Sequence, residues 1–144
     1  RAQLKRLLES RKMTEQEAEC IRIRDIRRFV ESGLGQRMKK AAMKKHLYRE
    51  QPFVIQRSAS MLDDGWKNET VLVQGIIDAY FMEEEEIVLV DYKTDRVKRG
   101  QEQKLIDLYH VQLEDYARAL ERMTGKRVKE KIIYSFTLQK EILL

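Results

Sequence analysis

The chain reads as a small mixed α/β domain, and three observations predict it. The runs Val71 to Phe81 and Ile87 to Asp91 are dense in β-branched and aromatic residues and bounded by turn residues, as strands are. Leu105, Leu108, Leu113, Ala117 and Leu120 recur along one side of a stretch ending at Gly125, as in an amphipathic helix. With 144 residues, 42% apolar and 37% charged, the chain is long enough for one substantial core under a densely charged surface.

Taken in order, Thr14-Glu15-Gln16-Glu17 has the form of a capping box. Ala18, Ile21, Ile26, Phe29 and Val30 then follow helical spacing as far as Gly33, which reads as a C-terminal stop. A second helix is predicted from about Leu34 to His46, with Leu34, Met38, Ala41 and Ala42 on one side. Residues 1–47 are thus expected to form an N-terminal helical segment, and 48–144 the core of the same domain.

From Tyr48 the character changes. Pro52-Phe53-Val54-Ile55 reads as the beginning of a strand, with proline confined to its start because it donates no ladder hydrogen bond. Asp63-Asp64-Gly65 signals a turn, Val71 to Phe81 a second strand, and Glu83 to Glu86 a solvated hairpin tip. Ile87 to Asp91 is apolar on consecutive positions, so this third strand is expected at the centre of the sheet, covered on both faces. A loop over Arg96 to Lys104 precedes the helix from about Leu105 to Thr124. Lys131 to Leu138 then forms a last core strand, and Ile142 to Leu144 continues past a turn.

No run is long and apolar enough to span a bilayer, and no signal peptide opens the chain. The single cysteine, Cys20, excludes an internal disulfide and a thiolate cluster, which fits a reducing cytoplasm. The net charge of +5 is unevenly spread. Arg37, Lys39, Lys40, Lys44, Lys45 and Arg49 form one basic stretch, Arg96, Lys98, Arg99 and Lys104 a second, and Lys126, Arg127, Lys129 and Lys131 a third. These suit either a polyanionic partner or an ordinary solvated lysine-rich surface.

The chemistry concentrates in Gly75-Ile76-Ile77-Asp78 and Asp91-Tyr92-Lys93-Thr94-Asp95. Asp91-Tyr92-Lys93 alone also fits a turn or a helix cap. Asp78, however, falls inside an apolar run, where an unpaired carboxylate is costly. Two carboxylates from neighbouring strands suit a hard divalent cation, and the backbone carbonyl of Tyr92 offers a third oxygen. Lys93 lies two residues beyond Asp91, so strand alternation puts both side chains on one face. A phosphodiester resists hydrolysis because its anionic oxygens repel the nucleophile and the departing alkoxide is poor, and a cation addresses both. The Lys93 ammonium would then orient the attacking water or stabilise the pentacovalent phosphate.

Gly-Ile-Ile-Asp78, Val-Asp91-Tyr-Lys93-Thr-Asp and Gln112-Leu113-Glu114-Asp115-Tyr116 together resemble the RecB-type branch of the PD-(D/E)xK nuclease superfamily. Tyr48-Arg49-Glu50-Gln51-Pro52-Phe53, Val73 to Asp78 and Asp91 to Val97 narrow the resemblance to the C-terminal nuclease domains of AddA-type helicase–nuclease proteins. The resemblance implies a restriction-endonuclease-like α/β core, with a mixed central sheet flanked by helices. It implies Asp78 and Asp91 as metal ligands and Lys93 as the catalytic lysine. Gln112 and Tyr116 match the Q-x-x-x-Y motif, and their i, i+4 spacing independently puts them on one helix face. Gln112 would reach the active site or the substrate, and Tyr116 would stack or hydrogen-bond. Glu50 and Thr94 would support the site or the DNA. The implied cofactor is Mg2+, with Mn2+ or Ca2+ as substitutes, and ATP belongs only to the parent helicase. The implied substrate is DNA, single-stranded, cut exonucleolytically in double-strand break repair and recombination. The implied partner is an AddB-type subunit in the bacterial cytoplasm.

The chain departs from that pattern at one point. RecB-type nucleases carry a histidine ligand in a Gly-Thr-x-x-His-like helix upstream of the first strand. Neither His46 nor His110 stands in such a segment, so both read as surface histidines. A chain opening at Arg1 fits an excised C-terminal portion beginning after that helix, with weakened metal binding and low activity alone. The alternative reading is a catalytically incomplete nuclease-like fold serving as a DNA-binding or subunit-docking module. One cysteine excludes a four-thiolate iron–sulfur nuclease, and no Walker-type phosphate loop occurs.

Overall fold

A single mixed sheet organises the computed structural model, which describes residues 23–58 and 70–144. The elements are α1 (Ile23–Glu31), α2 (Gly33–Met43), β1 (Leu47–Ser58), β2 (Thr70–Glu83), β3 (Glu86–Lys93), α3 (Glu102–Thr124), β4 (Val128–Ser135) and β5 (Lys140–Leu143). Among the described residues the sheet has five strands in the order β1-β2-β3-β4-β5. β3 and β4 run parallel through the α3 crossover, and every other pair is antiparallel. The capping box at Thr14 to Glu17 and the turn at Asp63-Asp64-Gly65 lie outside the described residues.

β3 is central and covered on both faces, as its unbroken apolar run predicts. Ile87 and Leu89 face α3, in a cluster with Leu105, Leu113, Leu120, Ile77 and Ile133. Val88 and Val90 face the other way, with Leu34, Met38 and Ala41 of α2 and with Ala79, Phe81 and Tyr134 of the sheet. Helices therefore flank the mixed sheet on both faces. No helix among the described residues is long and apolar enough to cross a membrane.

Several boundaries differ from expectation for local reasons. Gly33 begins α2 rather than ending the preceding helix, because Ser32 caps the second helix: its Oγ accepts from the Gly35 amide at 3.1 Å and donates to Phe29 O at 2.7 Å. Gly35 lets the two helices meet, since a Cβ there would lie 2.1 Å from Phe29 O. Pro52 sits inside β1, paired with Ile76, rather than at its start. β1 is an edge strand, where a missing donor costs no ladder bond. α3 starts at Glu102, three residues before the expected Leu105, and ends at Gly125 in the left-handed conformation (φ 68°). β4 begins at Val128 and closes at Ser135, so Phe136 to Leu138 belong to the turn into β5.

Glu83 is not part of a solvated tip. The Arg37 guanidinium grips its carboxylate with two hydrogen bonds, 3.0 and 2.8 Å, and that of Glu130 with two more, 2.9 and 3.0 Å. Lys129 adds a contact to Glu83 at 3.1 Å. Hydrogen bonding to Arg37 draws the Glu83 carboxyl down to about 2, against burial, which pushes the other way. This knot clamps α2 to β2 and β4. Other basic residues are paired too: Lys126 with Glu85, Lys131 with Glu114, and Arg127 with Glu86. The third basic stretch is thus largely neutralised within the fold.

Candidate active site

β2 and β3 part company part-way along the sheet. Their pairing runs from Glu83–Glu86 to Ala79–Val90 and stops. Beyond that point β2 continues against β1 as far as Thr70–Ser58, while β3 continues against β4 through Tyr92 and Lys93. The divergence opens a fork in the sheet, with Asp78 on one prong and Asp91, Tyr92 and Lys93 on the other.

The fork has a local cause. Ile77 and Tyr80 both face α3, whereas Ala79 and Phe81 face α2. Three residues cannot return a regular strand to the same face, so β2 switches faces around Asp78. β1 does the same: Phe53 and Ile55 pack on the α3 side and Leu47 on the α2 side. The turnover in β1 falls at Glu50, which adopts φ 51°. Pairing of the two strands passes from Arg49–Ala79 to Gln51–Ile77 and skips Glu50 and Asp78 together, which preserves the register.

Asp78 bridges the fork with its side chain: Oδ2 accepts from the Tyr92 amide at 2.8 Å. A residue in an extended strand directs its N–H and C=O to the same edge, so the Tyr92 carbonyl faces the fork as well. Lys93 faces the opposite way, its carbonyl accepting from Phe136 N at 2.9 Å.

Asp91 is 2% exposed. Lys93 Nζ lies 2.7 Å from its Oδ2. The two form a close ion pair, and no other group among the described residues donates a hydrogen bond to Oδ2. Burial pushes the Asp91 carboxyl above the usual range; Lys93 opposes this, and the nearby charges of Asp78 and Asp95 add to it. A buried carboxylate oxygen balanced by one lysine, next to a second carboxylate and a fork-facing carbonyl, is a hard-oxygen donor set that fits a divalent cation. Among the described residues no three of His, Cys, Asp and Glu gather to hold a metal. The set consists of Asp78, Asp91 and the Tyr92 carbonyl.

Lys93 is held from α3. Its Nζ donates to Gln112 Oε1 at 3.0 Å and stands 4.0 Å from the centroid of the Tyr109 ring. Tyr109 Oη donates to Asp95 Oδ1 at 2.9 Å. Sequence reasoning misses Tyr109 and Asp95 as site residues, although Tyr109, Gln112 and Tyr116 form an i, i+3, i+7 stripe that could have flagged the tyrosine. Tyr116 is only 9% exposed and packs edge-to-face on Phe53, with ring centroids 5.1 Å apart. Its position makes it a wall of the site rather than an open stacking surface. Beside it a cleft of about 280 Å³ separates Phe53, Val73 and Gly75 from Val111 and Gln112.

The remaining candidates are less involved. Glu50 is exposed at the turnover of β1. The side chain of Thr94 is exposed, and its carbonyl accepts from Thr137 at 3.2 Å. His110 contacts the Asp107 carbonyl of its own helix at 3.1 Å. His46 lies by the β2–β3 turn, beside Tyr80 and Glu85.

A profile of the PD-(D/E)XK nuclease superfamily matches residues 1–142. The chain is 39% identical over 145 residues to an ATP-dependent helicase/nuclease subunit of Clostridium novyi, covering 97% of this chain and 12% of that protein. It is 44% identical over 140 residues to the protein of the same name in Acetivibrio thermocellus, covering 94% and 11%, and 39% identical over 135 residues to that of Alkaliphilus oremlandii, covering 92% and 11%. The chain thus spans about one eighth of the length of such relatives. With the superfamily profile running over the forked sheet and both of its acidic prongs, this chain belongs to the PD-(D/E)XK nuclease superfamily, and its mixed sheet between helices is the restriction-endonuclease-like α/β fold.

Proposed function

We propose that this domain hydrolyses phosphodiester bonds of single-stranded DNA, as the exonuclease module of a bacterial, cytoplasmic ATP-dependent helicase/nuclease that works with an AddB-type subunit in double-strand break repair and recombination. One observation carries the reading: a buried aspartate whose Oδ2 meets only the Lys93 ammonium among the described residues, a second carboxylate across the fork and that lysine on the same face.

Asp78, Asp91 and the Tyr92 carbonyl are the residues to hold Mg2+, with Mn2+ or Ca2+ as substitutes, and the remaining positions are left to water and phosphate oxygens. When bound, such an ion lowers the pKa of water and neutralises phosphate charge. Asp78 keeps the fork at fixed width through the Tyr92 amide. Asp91 presents its charge from a dry setting, where electrostatic effects are strong. Lys93 places a compact positive charge beside the reacting phosphate, and Gln112 fixes its direction. The exposed Arg96, Lys98 and Arg99 follow directly in the chain and supply phosphate contacts near the site. ATP is used only by the motor of the parent protein. Residues 1–47, as an N-terminal segment, and the core 48–144 act as one nuclease unit.

The test is Asp91→Ala in the full helicase/nuclease. Cleavage of single strands should fall to background while ATP-driven unwinding continues. Cleavage at the wild-type rate overturns the assignment. A docking or DNA-binding role is the second reading, favoured by Lys93 already occupying the oxygen a cation would use. Calorimetry with Mn2+ separates the two: binding that weakens about tenfold or more in Asp78→Asn supports the nuclease, and no binding in the full protein supports the docking module.

A further inference from the structure

We infer that Tyr109 is a positioning residue for Lys93, holding the ammonium with the face of its ring. The inference rests on the nuclease reading and adds a residue to its machinery. Lysine is a poor choice for a fixed charge unless something immobilises it, because four rotatable carbons carry the ammonium. Here three groups close around Nζ: Asp91 Oδ2 at 2.7 Å, Gln112 Oε1 at 3.0 Å and the Tyr109 ring centroid at 4.0 Å. An ammonium has three hydrogens, and the ring takes the side that the two oxygens leave over. The Lys93 side chain is 15% exposed, so water competes weakly and the ring's attraction for the cation is near the upper end of its range.

The ring is itself locked. Its backbone belongs to α3, one turn before Gln112, and its hydroxyl donates to Asp95 Oδ1 at 2.9 Å. Asp95 lies two residues beyond Lys93, on the segment leaving β3. Tyr109 thus joins the helix to the end of the strand that carries both Asp91 and Lys93. Donation to a carboxylate enriches the phenol in electrons, which strengthens its pull on a cation at the face.

The three contacts to Nζ are not equivalent during the reaction. A cation held by Asp91 would compete for the oxygen that Lys93 now approaches. Gln112 and the Tyr109 ring are the contacts that survive this competition, so they set where the ammonium points.

Two readouts test this in the full helicase/nuclease with its partner subunit. On a labelled single-stranded oligonucleotide with saturating Mg2+, Tyr109→Leu should lower kcat by roughly 3- to 30-fold with little change in KM, and Tyr109→Phe should restore most of it. Without metal, acylation of Lys93 by a succinimidyl ester, followed by peptide mass spectrometry, should be several-fold faster in Tyr109→Leu than in Tyr109→Phe. Tyr109→Met, which fills similar volume without a ring, gives the same contrast should the leucine variant fail to fold. Wild-type kcat in Tyr109→Leu, a loss confined to KM, or Tyr109→Phe as slow as Tyr109→Leu overturns the inference. Asp91→Ala, assayed alongside, keeps the two ideas apart. Cleavage surviving in Asp91→Ala sinks the nuclease site and this inference with it, whereas cleavage lost there but intact in Tyr109→Leu sinks this inference alone.

Discussion

Asp78 takes the place of a strand partner for Tyr92: its Oδ2 receives the Tyr92 amide at 2.8 Å, just past the point where β2–β3 pairing ends at Ala79 and Val90. One side chain thus has both a structural and a chemical assignment, and substitutions should separate them. Asp78→Asn keeps an oxygen acceptor and should change stability by less than about 1 kcal/mol, while Asp78→Ala leaves the amide unpaired and should cost about 1–3 kcal/mol. Both should weaken Mn2+ binding by about tenfold or more, because one of two charged ligands is gone. Urea unfolding and calorimetry read the two effects, and equal stability of the two variants would refute the bridging role.

Gly75 is constrained by packing. A Cβ at this position would lie 2.9 Å from Phe53 Cε1 and 3.2 Å from Cζ. Phe53 is buried and braced by Tyr116, so its ring has little room to give. Gly75→Ala should therefore destabilise the domain by about 1–3 kcal/mol. Phe53→Leu in the same background should recover part of that loss. Thermal unfolding of the single and double variants checks the coupling, and additive losses would show that the contact does not matter.

Lys93→Arg should fail as a conservative change. The ammonium occupies a space bounded at 2.7, 3.0 and 4.0 Å by Asp91, Gln112 and Tyr109. A planar guanidinium is wider and directs its donors in a fixed fork. Single-strand cleavage should drop by about 100-fold in Lys93→Arg and at least as far in Lys93→Met. Activity of Lys93→Arg within a few-fold of wild type would mean that charge alone suffices.

What is legible in the sequence and what is not divide along the range of the physics involved. Asp91 and Lys93 share a face because strand alternation is local, and a two-residue spacing is enough to read that. The α3 register is likewise local, so Gln112 can be placed facing the site. The face switch at Asp78 is not readable, because Ile76 to Phe81 apart from Asp78 is apolar or aromatic throughout and suits either face. Pro52 reads as a strand start because edge position depends on sheet order, which no local pattern encodes. Glu83 reads as tip charge because its partners in the knot, Arg37 and Glu130, come from 46 and 47 residues away in opposite directions.

That distant knot yields a pH prediction. The Glu83 carboxyl is drawn down to about 2 from an ordinary 4.5, first by its hydrogen bonds to Arg37. A carboxyl whose folded-state pKa is depressed binds protons less readily when folded than when unfolded. Its contribution to stability is therefore complete above about pH 4.5 and disappears as pH falls towards 2. The Glu83 side chain is 28% exposed, so solvent screening trims the effect to about 1–3 kcal/mol. Glu83→Gln should lower stability at pH 7 by that amount and flatten the loss between about pH 4.5 and 2. Arg37 stays charged throughout, since the same hydrogen bonds raise its pKa further, so the slope belongs to the carboxylates. Urea midpoints measured at intervals across this window decide the matter: parallel curves for wild type and Glu83→Gln would show that the knot carries no proton-linked stability.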